Sequence, residues 1–411
     1  MTQQATTRGP SWLGRALGGA RKQKSMAKKS HPIWDGRYQP VSFQTYYSEP
    51  GKPVWMRREY GKFAEEAYVR NVIAHRCIHQ IASNAASVGW RLLGEEGVVS
   101  NHPALSLIRR PGPCCAGAEF FESVFATRMI SGNAYVLMVT DQTGMPRELH
   151  QLRPDRVAVI AGAGGVPAGY EYTLDKQVKR YMADPLTGRS AVLHLKCFHP
   201  LDDWYGLSPV EAAAYSIDQH NQAAVWNQAL LQNGAKPSGA LMVKPSEYNG
   251  GMLDDEQFTR LRHQIDEQFS GAANAGRPLL LEGGLEWRDM SHSPREMDFI
   301  EAKHSAARDI ALAFGVPPQL LGIPGDNTYS NLAEARLAFW EQTILPLLDQ
   351  VIGAFNAWLL PHYREELRFT YDADRISALA PRRERIWARL KHADFLTDEE
   401  KRAMVGLGDA T

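Results

Sequence analysis

Between residues 300 and 314 the apolar positions Ile300, Ala307, Ile310, Ala311 and Phe314 recur at helical spacing and then stop. Gly315 suits a left-handed cap, and Pro317 and Pro318 cannot continue a helix, so the pattern predicts a helix ending near Phe314. The segment that follows has no period. Gly322, Pro324, Gly325, Asp326 and Asn327 are turn formers, and Thr328, Tyr329 and Ser330 add hydroxyls, which together predict a projecting loop. Asn331 with Glu334 three residues on reads as a capping box, so a second helix is expected to start there. Its buried side would carry Leu332, Leu337, Trp340, Ile344, Leu348, Val351, Phe355 and Leu359. Pro346 interrupts that helix at a cost of about 3 kcal/mol, so a kink is expected between Glu341 and Leu345.

Upstream, Val69, Val72, Ile73, Ile78, Ile81 and Ala82 give one apolar side to a helix predicted over Ala64–Ala86. Strand patterns follow at WRLL (90–93) and NAYVLMVT (133–140), the latter after a helix over Phe120–Ile130, with QTG turning toward a partner strand. RVAVIAG, GYEYTL and AVLHLKCF extend the set, so residues 87–200 read as an α+β domain. SPVE at 208–211 places Ser at a cap, Pro at the first helical position and Glu three after the cap, and SPRE at 293–296 repeats it. The first of these helices is expected to run from Pro209 to about Gln232. With only Glu211 and Asp218 charged, it suits burial against other helices. A small α/β insert separates the two helices, and residues 240–292 hold nine acidic and five basic side chains. After Leu360 comes a strand-like LRFTYD, then helices, with TDEE at 397–400 as another capping box.

Composition narrows the class. At 411 residues and 44% hydrophobic content the chain can bury more than one core, and two or three domains are expected. No apolar run approaches the roughly 20 residues needed to span a bilayer, and the N-terminus lacks the apolar core of a secretory signal, so no membrane partner is expected. Cys77, Cys114, Cys115 and Cys197 contain no C-x-x-C, and a reducing cytoplasm suits them. The net charge is zero but uneven. Residues 1–30 hold Arg8, Arg15, Arg21, Lys22, Lys24, Lys28 and Lys29 without one acidic residue. Such an arm is a solvated tail or a contact for nucleic acid or an acidic protein surface. The same pair of readings applies to Arg382, Arg383 and Arg385, with Arg389 and Lys391 beyond them.

No catalytic constellation stands out. G-x-x-x-x-G-K-[ST] is absent, and the glycines of AGAGGVPAG at 161–169 precede no helical pattern, so they read as a hairpin turn rather than a pyrophosphate site. His75 and His79 share a helix face, but no third ligand has matching spacing. His199, Asp202 and Asp203 form either a polar turn or the metal site of a nucleic-acid enzyme. Ser208 has no G-x-S-x-G context. No cofactor, metal or catalytic residue is therefore assigned.

Several segments, in order, resemble the portal or head-to-tail connector proteins of tailed bacteriophages and phage-like gene transfer agents. They are NHPALSLIRRPGP (101–113), ISGNAYVL (130–137), ELHQLRPDRVAV (148–159), HPLDDWYGLSPVEAA (199–213), NGAKPSGAL (233–241), GRPLLLEGGLEW, MDFIEA, AFGVPPQLLG and SNLAEARLAFWEQTILPLL. The resemblance implies an α+β portal fold that assembles as a dodecameric ring at one capsid vertex, carrying double-stranded DNA during packaging and ejection. Its parts would be a basic arm (1–30), an α+β wing (31–207), stem helices (208–234 and 293–315), an acidic clip (235–292), a tunnel loop region (316–330), a kinked wing helix (331–360) and a crown (361–411). Gly325, Asp326, Asn327, Thr328, Tyr329 and Ser330 would face DNA. Arg21, Lys22, Lys24, Lys28, Lys29, Arg382, Arg383 and Arg385 would touch DNA or capsid. Asp254, Asp255, Glu256, Asp266 and Glu267 of the clip would meet partners. Those partners would be further copies of the chain, the terminase large subunit, the major capsid protein and adaptor or neck proteins. Assembly would occur in the bacterial cytoplasm and the finished location would be a virion or phage-like particle. A weakly charged loop suits such a channel, since each Lys or Arg on a phosphate adds binding that every translocation step must break.

Overall fold

In the computed structural model, which describes residues 56, 59–232, 239–243, 255–260, 263, 285–289, 299–324, 329–393 and 395–404, Asn71 divides the first long apolar stretch in two. A short helix, α1 (Tyr60–Phe63), runs into a π-helical turn over Ala64–Val69, and α2 (Val72–Ser87) starts afresh. The single helix expected over Ala64–Ala86 is therefore broken at Arg70 and Asn71, because the Asn71 side chain accepts from the Ile73 and Ala74 amides and caps α2. Val69 and Val72 flank the break and are 76% and 67% exposed, contrary to their expected place on the buried side.

The chain continues through β1 (Trp90–Gly94), β2 (Gly97–Val99), α3 (Pro103–Arg109), α4 (Gly117–Ser131), β3 (Asn133–Thr140), β4 (Pro146–Leu152), β5 (Val157–Ala161), β6 (Pro167–Leu174), β7 (Gln177–Met182) and β8 (Val192–Lys196). Next come α5 (Pro209–Ala212), α6 (Ala214–Gln232), the strand pair β9 (Gly239–Val243) and β10 (Leu285–Asp289), and α7 (Phe299–Ala313). The C-terminal part holds α8 (Tyr329–Phe339), a π-helical turn (Trp340–Ile344), α9 (Leu345–Trp358), β11 (Arg368–Tyr371), α10 (Ala380–Lys391) and α11 (Asp398–Met404).

Among the described residues four small antiparallel sheets result, in the orders β11-β1-β2, β4-β3-β8, β5-β6-β7 and β10-β9. The first pairs Trp90 with Tyr371 and Leu92 with Phe369, so residues 368–371, expected in the crown, close the sheet of the α+β body instead. Burial drives this return. Phe369 is 1% exposed and its ring packs 5.6 Å from Trp90, which also meets Phe121 at 4.7 Å and Phe355 at 5.3 Å. The main core thus unites α2, α4, β1 and α9 in one apolar cluster. A second, smaller cluster lies between the β4-β3-β8 and β5-β6-β7 sheets, around Tyr135, Leu152, Val157, Tyr170 and Val192.

The helical run Asn331–His362 is 32 residues long, and by length and composition it is apolar enough to cross a bilayer. Glu334, Arg336, Glu341 and Asp349 interrupt it, so it contains no unbroken apolar run of the roughly 20 residues needed to span a bilayer. Half of its most apolar window is buried in the fold, where Leu348, Val351 and Phe355 face α2, α4 and β1 as core side chains.

One contact positions the helices that follow. Gly132, at φ +73°, ends α4, and its backbone lies against Gly206 so closely that a Cβ on Gly132 would sit 2.4 Å from the Gly206 carbonyl oxygen. The reverse also holds, since a Cβ on Gly206 would sit 2.2 Å from the Gly132 oxygen. Asn133, 6% exposed, braces the pair: its Oδ1 accepts from the Gly206 amide at 2.7 Å and its Nδ2 donates to the Gly206 carbonyl at 3.3 Å. Substituting Gly206 with Ala forces these backbones apart. We expect Gly206→Ala to lower stability by about 1–3 kcal/mol, the range for overpacking, read as a reduced urea midpoint, whereas Ala at the open Gly144 turn should leave the brace untouched.

Candidate functional site

Two residues beyond the Gly132/Gly206 contact, Ser208 caps α5, its Oγ accepting from the Glu211 amide at 2.9 Å with Pro209 in the first turn. The cap stands where the sequence places it, but the helix does not run unbroken to Gln232. Ala213, at φ −89° and ψ 5°, separates α5, which packs on α4, from α6, which packs on α7. Tertiary contacts override an Ala-rich run that favours continuous helix. The first turns of α6 are buried through Ala214, Ile217 and His220, whereas Gln222 to Ala229 are mostly exposed, Val225 by 57%. The expected burial therefore covers only the start of α6 within one chain.

A polar cluster fastens α6 to α2. Asn71, fully buried, donates through Nδ2 to His220 Nδ1 at 3.2 Å and to Asn221 Oδ1 at 2.9 Å, while Asn221 donates to the Glu66 carbonyl at 3.0 Å. His220 must be neutral to accept, and burial pushes its pKa down, with the nearby Lys303 and His304 adding to the effect. His194 is held in the same state at the other joint. Its Nε2 donates to Asn133 Oδ1 at 2.9 Å, its ring stacks 4.3 Å from Tyr135, and burial pushes its pKa down to about 3.

The helix stop is as expected. Gly315 takes φ +66°, its amide bonds to the Leu312 carbonyl and that of Val316 to Ala311, which closes a Schellman motif at the end of α7. Ile310, Ala311 and Phe314 are buried, but Ile300 is 76% exposed and lies outside the apolar face predicted for it. A 3₁₀ turn over Pro318–Leu321 and a left-handed Gly322 then fold the chain back along α7. Ile323 packs against Ala307 and Ala311, and Arg308 Nη2 donates to the Pro324 carbonyl at 2.8 Å.

Gly325, Asp326, Asn327 and Thr328 lie outside the described residues. Tyr329 and Ser330 form the first turn of α8, so the helix restarts two residues before the capping box predicted at Asn331. The expected kink is a π turn over Trp340–Ile344, in which the Leu345 amide bonds to the Trp340 carbonyl. Pro346 stands in the first turn of α9, where its missing N–H costs least. Thr343 inside the π turn donates to the Gly315 carbonyl at 2.7 Å, tying the kink to the helix stop. Beyond it α9 is deeply buried, whereas α8 from Asn331 to Ala338 is exposed or half-buried, with Leu332 at 43%. Leu332 is thus not on the buried side.

The remaining candidates divide. Arg382 pairs with Glu341 of the π turn at 2.9 Å, Arg383 bonds to the Asp374 carbonyl and lies over the Trp387 ring, and Arg385 donates to the Pro381 carbonyl at 3.3 Å. These cations are engaged within the chain. Asp255 and Glu256 are exposed on a helical segment at 255–260. Asp254, Asp266, Glu267, Arg21, Lys22, Lys24, Lys28 and Lys29 lie outside the described residues, as does the predicted cap at Ser293. Asp202 spends Oδ1 on the Trp204 and Tyr205 amides, and His199 Nδ1 accepts from the Leu201 amide, so this string is a polar turn. His79 faces Glu122 at 3.1 Å, and His75 bonds to the Tyr68 carbonyl. Among the described residues no group of three or more His, Cys, Asp or Glu side chains is placed to hold a metal ion.

Sequence reasoning did not single out Asn133, Asn71, His220, Thr343 or Arg308. Gly132 and Gly206 sit inside segments it quoted, ISGNAYVL and HPLDDWYGLSPVEAA, yet nothing local indicates that those segments touch.

These polar groups cap helices, brace backbones and pin a loop, the arrangement of a structural scaffold. Comparison with known proteins specifies which. Residues 73–406 match the family described as phage portal protein. The chain is 49% identical over 344 residues to an uncharacterized protein of Rickettsia bellii, covering 83% of this chain and 88% of that one. It superposes on a subunit of the neck of an empty gene transfer agent particle with a TM-score of 0.69 at 44% identity, covering 87% of this chain and 96% of that one. The corresponding subunit of the native particle's neck, determined with twelve-fold symmetry, gives 0.67 at 43% identity, with 87% and 96% covered. The chain belongs to the phage portal protein family.

His220 and His194 set a pH dependence. Their folded-state pKa values lie below the unfolded value of about 6.5, so below that pH the unfolded chain binds more protons and stability falls. Wild-type protein should lose stability between pH 7 and 4.5, and His194→Gln should lose less over that interval, as followed by urea midpoints at each pH.

Proposed function

We propose that twelve copies of this chain form a ring at one vertex of a phage or gene transfer agent particle, and that double-stranded DNA passes through its centre. The observation that carries this is the likeness, at 43% identity and over 96% of its length, to a subunit of a twelve-fold symmetric particle neck. The part of α6 from Gln222 to Ala229, uncharged and mostly exposed, supports it. A face of Ala, Asn and Gln with Val225 exposed suits a head-to-tail contact repeated around a closed ring.

In this reading α6 and α7 are the stem, the β9/β10 pair and residues 255–260 belong to the clip, and Gly325, Asp326, Asn327, Thr328, Tyr329 and Ser330 line the tunnel. The stem pins the near side of the loop through Arg308 and Ile323, and α8 carries its far side. The terminase large subunit and then the neck or adaptor proteins would meet the acidic clip, with Asp255 and Glu256 among the contacts. The basic arm, with Arg21, Lys22, Lys24, Lys28 and Lys29, would touch DNA or the major capsid protein. Arg382, Arg383 and Arg385 are less suited to DNA because each already bonds within the chain.

Imaging or native mass measurement of purified protein should show a ring with a central hole, and a monomer under every condition tried would overturn the reading. Replacing Asp326, Asn327 and Tyr329 together with Ala should leave the ring intact while DNA packaged or retained per particle falls several-fold. Particles with a normal DNA content would remove these residues from the channel wall.

A further inference from the structure

We propose that Arg308 sets the level on the stem helix α7 at which the tunnel loop begins. The proposal rests on the channel reading above for its consequence, but not for its geometry. Arg308 stands five positions before the end of α7 at Ala313, roughly 7.5 Å of helix. The chain passes this end, turns at Gly315 and Gly322, and comes back along the helix before Pro324 is caught. Ala307 and Ala311 leave a shallow floor on which Ile323, 5% exposed, is seated. That seat is apolar and short, so it resists lifting more than sliding.

The polar bond supplies what the apolar seat lacks. Proline has no N–H, so the carbonyl is the one backbone hydrogen-bonding group Pro324 offers, and Arg308 holds it at 2.8 Å. A guanidinium donor is directional, and a charge-assisted bond is stronger than a neutral one. Sliding the strap by one helical turn toward the end of α7 would bring it opposite Leu312 instead of Arg308. Leu312, 79% exposed, has nothing to donate. Arg308 is thus a positioning residue, acting on the loop through Pro324.

The test uses the assembled full-length ring and three variants: Arg308→Ala, Arg308→Lys, and Arg308→Ala combined with Leu312→Arg, which moves the donor one turn. Amide hydrogen exchange is read in peptides covering residues 322–332, together with the global urea midpoint and the DNA retained in particles. Because Arg308 is exposed, the midpoint should not move. Arg308→Ala should speed exchange in this segment roughly three- to tenfold, as expected for loss of one exposed charge-assisted bond. Arg308→Lys should recover part of the protection, the displaced arginine should recover none of it at the wild-type level, and DNA retention should follow the same order. Unchanged exchange in Arg308→Ala, or wild-type exchange and DNA retention in the displaced variant, would overturn the proposal. Faster exchange with normal DNA retention would support the pin and count against a DNA-facing loop.

Discussion

The approach of Gly132 to Gly206 fixes where the α+β body hands the chain to α5 and α6, and the helical architecture depends on it. Two backbones at this separation exclude any side chain, and their polar groups would be orphaned without a partner of the right shape. Asn133 supplies both a donor and an acceptor, and its Oδ1 is also the acceptor for His194, so a single buried amide satisfies the joint. The Cys197 amide completes it by bonding to the Gly132 carbonyl at 2.8 Å. Ser208 then caps α5 two residues beyond Gly206. Because α6 is fastened again at His220 and Asn221, it is held at two points along its first turns, and its direction is set before it leaves the body of the chain.

What the sequence made legible is what is local. The stop at Gly315 and the cap at Ser208 are written within a few residues, and the kink followed from the chemistry of Pro346 alone. The strands between β1 and β8 were legible wherever one face is apolar. β7 was not, since Gln177–Met182 is exposed along nearly its whole length and shows no alternation. Long-range pairing was invisible for another reason: the Arg91–Asp372 ion pair beside the β1/β11 register joins residues 281 apart, and no pattern in LRFTYD names its partner. The break at Ala213 ran against propensity, because different neighbours claim α5 and α6. The sequence marked the start of α8 at the Asn331 capping box, and the helix begins earlier, at Tyr329. Arg308 left no local trace, since its partner lies sixteen positions on in a segment read as loop.

The energetics divide the C-terminal half into a fixed and a lightly held part. α9 is fixed by apolar burial through Leu347, Leu348, Val351, Ile352, Phe355 and Trp358. α8 is held by much less: contacts with the 3₁₀ turn at Pro318–Leu321 and the π turn, and a 3.4 Å bond from Arg336 to Ser377. The ion pairs around it, including Arg382 to Glu341, are exposed and each contributes under about 1 kcal/mol. The chain thus keeps its buried core in α9, apart from the more exposed α8.

The π turn has a geometric effect that its role as a kink does not convey. It inserts one residue into a helix of 3.6 residues per turn, so the side chains of α8 are rotated by about 100° relative to where an unbroken extension of α9 would place them. Lengthening the segment before α8 would change the reach of that segment, but gaining or losing a residue between Trp340 and Ile344 would change the heading of α8. In a ring that error would repeat with the same handedness in every subunit, turning the whole inner rim like the blades of an iris.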